Sequence, residues 1–107
     1  MSYKVETLEV FERQTKRLLK KYPSLKSELI TLITSLKENP FQGTALGNEC
    51  YKIRIGIASK GRGKSGGGRI ITHIVIDAET IHLMSIYDKS DKENISDDEL
   101  DDLLLQL

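Results

Sequence analysis

The spacing of apolar residues changes period along the chain, and each change marks an element. In "YKVETL" (3–8), Tyr3, Val5 and Thr7 alternate with Lys4, Glu6 and Leu8, which predicts a short strand. Leu8, Phe11, Thr15, Leu18 and Tyr22 then recur at three and four residues, with Lys16, Arg17, Lys20 and Lys21 between them, as in an amphipathic helix. Leu25, Leu29, Leu32 and Leu36, widened by Ile30 and Ile33, form the apolar stripe of a second helix that Asn39-Pro40 ends. Pro23 either opens that helix at its first position or kinks a continuous one. So close a succession of helices implies a helical hairpin. "FQGTALGNE" (41–49) has the composition of a loop.

From residue 50 the period becomes two. "CYKIRIGIAS" (50–59) sets Tyr51, Ile53, Ile55 and Ile57 on one face and Lys52, Arg54, Gly56 and Ala58 on the other. "RIITHIVI" (69–76) sets Ile70, Ile74 and Ile76 against Arg69, Ile71, His73 and Val75. "TIHLMSIY" (80–87) follows after the turn Asp77-Ala78-Glu79, so three strands with short connections form a meander. Ser96-Asp97-Asp98-Glu99 reads as a capping box, Ile95 and Leu100 as its hydrophobic staple, and Leu100, Leu103, Leu104 and Leu107 as the apolar side of a last helix. The expected order is β-α-α-β-β-β-α. This is an α+β domain, an antiparallel sheet packed by an N-terminal helical hairpin and a C-terminal helix.

Composition narrows the function classes. A chain of 107 residues, 30% charged and 38% apolar, suits one soluble domain spanning 1–107. No apolar run approaches the roughly 20 residues of a membrane span, and "MSYKVETLEVF" lacks the basic-then-apolar pattern of a secretory signal. The single cysteine, Cys50, permits no internal disulfide, and a cytoplasmic location is expected. Net charge is zero but unevenly spread. Residues 51–76 carry six basic groups and no acid, whereas residues 88–107 carry eight acids against Lys89 and Lys92. A positive middle of this kind suggests an anion site, nucleic acid included.

"ASKGRGKSGGGR" (58–69) contains both Gly61-x-Gly63-x-x-Gly66 and Gly63-Lys64-Ser65. Either phosphate-binding motif needs a helix after the glycines, because the helix N-terminus helps to hold the phosphate. Here "RIITHIVI" follows, which is strand, and Ala58 stands where a P-loop has its first glycine. The segment is therefore read as a long hairpin loop, with Lys60, Arg62 and Lys64 as candidate contacts to an RNA backbone. Lys52, Arg54, Arg69 and His73 share the parity of the outward face, which sets His73 near Arg54 as a further candidate RNA contact. Like charges on adjacent strands repel, so a bound anion would account for them. His73 and His82 show no zinc spacing with Cys50, and no metal or cofactor is expected. Cys50 reads as a small buried hydrophobe and Tyr51 as a packing residue.

"CYKIRI" (50–55), the glycine loop, "GRIITHIVI" (68–76), "IHLMSIYDKSDKEN" (81–94) and the paired N-terminal helices together resemble the RelE/HigB toxins of type II toxin–antitoxin systems, within the RelE/ParE superfamily. "SKGRGKSGG" points to the HigB-like branch. The resemblance spans nearly the whole chain. It implies a microbial-ribonuclease-like fold, a cognate antitoxin, and ribosome-dependent, metal-independent cleavage of mRNA in the A site by attack of the 2′-OH. Lys52, Arg54, Arg69 and Lys89 match the family's basic active-site positions. The family's late aromatic falls at Ile95, and Tyr87, eight residues earlier, is the candidate substitute.

On chemical grounds Arg54 and Arg69 suit the non-bridging phosphate oxygens. A lysine crowded by cations releases its proton more readily, making Lys52 the candidate base. Lys89 or Tyr87 would assist the leaving 5′-oxygen. Two other functions compete, a ParE-type toxin that inhibits gyrase by binding and a non-enzymatic RNA-binding module of the same fold. The acidic last helix reads as a capped helix covering the core, with a docking surface or an internal mask over the basic groove as the other reading.

Overall fold

The computed structural model describes residues 2–61, 63 and 66–107. Its order is β1 (Lys4–Thr7), α1 (Glu9–Lys21), α2 (Leu25–Glu38), β2 (Thr44–Gly47), β3 (Cys50–Ile55), a 3₁₀ turn (Ala58–Lys60), β4 (Gly68–Val75), β5 (Thr80–Asp88) and α3 (Asp97–Leu104). The strands form one sheet in the order β1-β5-β4-β3-β2. The expected meander is there, with β3, β4 and β5 paired antiparallel.

Three features depart from expectation. Residues 44–47, expected as loop, form the edge strand β2, bulged where Ala45 pairs with Tyr51 and Gly47 with Cys50. Its four residues alternate too little to declare themselves, and strand pairing supplies the order. Secondly, the sheet is mixed, because β1 lies parallel to β5, with Val5 opposite Ile81. The helical pair between them supplies the long crossover that parallel pairing requires. Finally, Pro23 neither opens α2 nor kinks a single helix. It stands in the break between α1 and α2, where the Leu25 amide donates to the Tyr22 carbonyl at 3.0 Å.

Burial on two faces explains the continuous apolar character of β4. Ile70 and Ile74 pack with Ile53, Ile55 and Ile57 against Phe11, Leu25, Leu29 and Leu36 of the helical pair. Ile71, between them in sequence, faces the other way and packs with Cys50, Met84 and Tyr87 under Leu100 and Leu103 of α3. A register shift between Ile71 and Thr72 turns Met84 into this second core. α3 starts at the expected place. Ser96 Oγ accepts from the Glu99 amide at 3.1 Å, and Glu99 Oε1 accepts from the Ser96 amide at 3.0 Å.

Gly67, just before β4, serves packing. A Cβ on Gly67 would lie 2.2 Å from the Ile55 carbonyl oxygen, whereas one on Gly63 would meet nothing within 4 Å. Gly67→Ala is expected to cost about 1–3 kcal/mol in urea denaturation, by forcing β3 and β4 apart. Gly63→Ala, in open space, is the control and should change the midpoint little. Equal effects would show that loop entropy, not close approach, selects the glycines.

Candidate functional site: a basic row at the edge of the α3 cover

The register of β3, β4 and β5 brings the predicted residues together. Arg54 lies directly opposite Arg69, and Arg69 opposite Tyr87. Neighbouring strands are about 4.8 Å apart, so the three side chains form a row roughly 10 Å long across the sheet. Lys52 stands two residues from Arg54 on the same face, opposite Ile71. Cys50 and Ile71 are under α3, but Arg54 is exposed and Lys52 half-exposed. Among the described residues Arg54 has no carboxylate partner. Lys52 Nζ donates to Asn94 Oδ1 at 3.0 Å.

Arg69 is only 4% exposed. Its Nη1 donates to the Gly68 carbonyl at 2.9 Å, which folds the guanidinium back beside its own strand. Tyr87 is also buried. Its ring carries Lys92 Nζ 5.0 Å from the centroid, and its hydroxyl has no well-aligned hydrogen bond. Burial raises the Tyr87 pKa above its ordinary value, against the opposing pull of Arg69 and the Ile95 amide. At neutral pH the phenol therefore keeps its proton and can serve as a donor, not as a base. Lys89 is half-buried at the end of β5, its amide bonded to the Gly67 carbonyl at 3.1 Å. A hollow of about 330 Å³ opens beside Tyr87 and is lined by Arg17, Lys92, Gln14 and Asp91.

Two predicted contacts are placed elsewhere. His73 keeps the expected face but is not near Arg54. It lies opposite Cys50 and His82, four residues along β4 from Arg69. Its ring centroid is 6.3 Å from that of His82, and His82 Nε2 is 3.4 Å from Glu6 Oε1. Burial, then His82, lowers the His73 pKa. Parity places a residue on a face but not along it, and that is why the expectation missed. Lys60, expected at the RNA backbone, is instead committed inside the molecule. Its Nζ donates to the carbonyls of Gly66 at 2.8 Å and Gly67 at 3.3 Å and to Asp88 Oδ1 at 2.5 Å. Arg62 and Lys64 lie outside the described residues.

Asp88 is the polar centre of this region and was not singled out in the sequence. Its other oxygen, Oδ2, accepts from the Tyr22 hydroxyl at 2.7 Å, and Oδ1 also accepts from the Ser90 amide at 2.9 Å. Burial pushes its pKa up, but the Lys60, Ser90 and Tyr22 hydrogen bonds and the Lys60 charge together bring it down to about 2. Asn94 and Lys92 were also missed, since nothing in "DKEN" marks a residue that will reach the sheet. Cys50 is inert as expected of a buried hydrophobe, its thiol pushed up to about 11 by burial and then by Glu49. Among the described residues no group of three or more His, Cys, Asp or Glu could hold a metal ion, and no helix is long and apolar enough to cross a membrane.

The profile described as "RelE toxin of RelE / RelB toxin-antitoxin system" matches residues 8–105. The chain belongs to the RelE toxin family. Its fold is similar to that of an arginine-substituted mutant of the Escherichia coli toxin RelE in the free state, with a TM-score of 0.61 and 20% identity over 87% of this chain and 90% of that one. The isolated E. coli RelE toxin matches with a TM-score of 0.60 and 17% identity over 99% and 100% of the two chains. A chain of the intact E. coli RelBE toxin–antitoxin complex matches with a TM-score of 0.57 and 17% identity over 81% of this chain and 96% of that one. No curated relative matches the chain in sequence. These RelE structures share the α+β fold, and the basic row lies on the sheet of that fold.

The Asp88 cluster has a pH signature. Its folded pKa, about 2, is below the ordinary 3.8, so its stabilisation is complete above pH 4 and lost as pH falls toward 2. Tyr22→Phe removes one hydrogen bond to the carboxylate. It is expected to cost about 1.5–3 kcal/mol at pH 7 and to raise the Asp88 pKa, which urea denaturation and carboxyl NMR titration would measure.

Proposed function

We propose that this RelE-family toxin is a ribosome-dependent, metal-independent endoribonuclease that cuts mRNA in the A site, of the HigB-like branch, held inactive in the cytoplasm by a cognate antitoxin. Support comes above all from the row Arg54–Arg69–Tyr87, with Lys52 beside it, which runs from the exposed Arg54 to Arg69 and Tyr87, buried at the edge of the cover that α3 provides. Adjacent arginines with a buried, protonated phenol at the end of the row suit a phosphate that gains charge during reaction.

In this reading the 2′-oxygen attacks the adjacent phosphorus in line. Its proton passes to Lys52, the new O2′–P bond forms, and the P–O5′ bond breaks. The 5′-oxygen leaves with a proton from Tyr87 or Lys89, giving a 2′,3′-cyclic phosphate and a 5′-hydroxyl. Arg54 and Arg69 bind the non-bridging oxygens, where two guanidinium forks match the geometry better than ammonium groups. The RNA contacts proposed for Arg62 and Lys64 would extend the grip along the backbone. His73, at the far end of the face, is the weakest member of the proposed RNA surface. The antitoxin's presence follows the RelE/RelB description of the family and the RelBE complex of similar fold.

Primer extension on a reporter mRNA in reconstituted translation, with and without ribosomes, tests the reading. The wild type is expected to cut only translated mRNA. Arg54→Ala, at an exposed position, should lower the cutting rate by about 100-fold or more while the protein stays folded. Inhibition with intact mRNA would contradict the endonuclease and direct attention to gyrase or to RNA binding alone.

A further inference from the structure

Lys60 lies in a glycine-rich basic loop, where a solvated phosphate contact is the ordinary expectation. The structure spends the side chain differently. An ammonium has three N–H donors and no acceptor. Here Gly66 O, Gly67 O and Asp88 Oδ1 are three acceptors within 3.3 Å of Nζ. With all donors engaged and the side chain 10% exposed, no N–H is left for RNA. Asp88 is 1% exposed, so the pair has left water almost completely.

The position of the pair matters more than its strength. Gly68 pairs with Asp88 across β4 and β5, and the next pair is Arg69 with Tyr87. Gly67, bonded through its carbonyl to Lys60, also accepts the Lys89 amide. Tyr22, from the end of α1, closes the other side of Asp88. One residue beyond this cluster on each strand is a member of the proposed site. Buried ion pairs add little net stability when compared with apolar replacements, and their better-attested value is in fixing one arrangement. A shift of about 1 Å in a reacting group can cost roughly 100-fold in rate.

We propose that Lys60 is a positioning residue: its ammonium clasps Asp88 and the Gly66 and Gly67 carbonyls, pins the start of β4 to the end of β5, and so holds Arg69 and Tyr87 in place for the reaction. This inference rests on the endonuclease reading of the site. Two full-length variants test it, Lys60→Met and Lys60→Met/Asp88→Asn. The single variant strands a buried carboxylate and should lose stability in urea denaturation, and the double variant should recover much of it. Both are expected to cut ribosome-bound mRNA at least about tenfold more slowly at saturating protein. The concentration giving half-maximal rate and its salt dependence should not move.

Recovery of rate along with stability in the double variant would overturn the proposal in favour of plain structural support. A raised half-maximal concentration with a shallower salt dependence would overturn it in favour of a direct phosphate contact. If the wild type cuts nothing, the endonuclease reading fails, and hydrogen exchange at the Lys89 amide then judges the clasp by itself. Faster exchange in Lys60→Met supports it, and unchanged exchange overturns it.

Discussion

α3 spans eight residues, about 12 Å of helix, and it lies on the second face of a sheet five strands wide. The first face is under α1 and α2, with a continuous apolar core beneath them. The second face is therefore divided. Where Leu100 and Leu103 reach, it carries Cys50, Ile71, Met84 and Tyr87. Where they do not, the same strands carry Lys52 and Arg54. Alternation alone would permit either kind of residue at these positions, and the reach of one short helix divides apolar from cationic. Arg69 and Tyr87 stand on the boundary, buried yet adjacent to the exposed row.

That boundary position is costly, because a guanidinium and a phenol lose water there. Backbone and neighbouring groups offset part of the cost, through the Gly68 carbonyl for Arg69 and Lys92 over the ring of Tyr87. The Lys60–Asp88–Tyr22 cluster stabilises the same edge from the side of the glycine loop. Fold and site thus share residues. Gly67 admits the close approach of β3, accepts from Lys60 and Lys89, and leads into Arg69. A cavity of about 710 Å³ opens between α2 and the end of β3. Its lining includes Leu32, Ile53 and Ile57, with Arg54 as its one member of the basic row. This cavity and the proposed chemistry point to different places, and the proposed function follows the cations.

Period and punctuation made most of the fold legible. Leu25 to Leu36 gave α2, Ser96 to Glu99 gave the start of α3, and Ile53, Ile55, Ile70 and Ile74 gave the inner face of β3 and β4. β2 escaped because its order comes from pairing with Tyr51 and Lys52, not from its own residues. The parallel placement of β1 escaped because local pattern carries no information on sheet order. In the site, parity was enough to bring Lys52, Arg54 and Arg69 to one face. It failed for His73, whose distance along β4 it does not encode, and for Lys60, whose partners come from residue 88 and two glycine carbonyls. A lysine between glycines reads as solvated unless the carboxylate that buries it is known.

In the proposed function, RNA binds where the cover of α3 ends, at Lys52 and Arg54 with Arg69 and Tyr87 on the boundary. An NMR titration with a short single-stranded RNA carrying one 2′-deoxy nucleotide at the cleavage position tests it directly, since that substrate lacks the attacking hydroxyl. Shift changes are expected to concentrate at Lys52, Arg54, Arg69 and Tyr87 and to leave His82 and the α2 groove unmoved. Changes confined to Leu32, Ile57 and the α2 groove, or to the His73–His82 end, would contradict it.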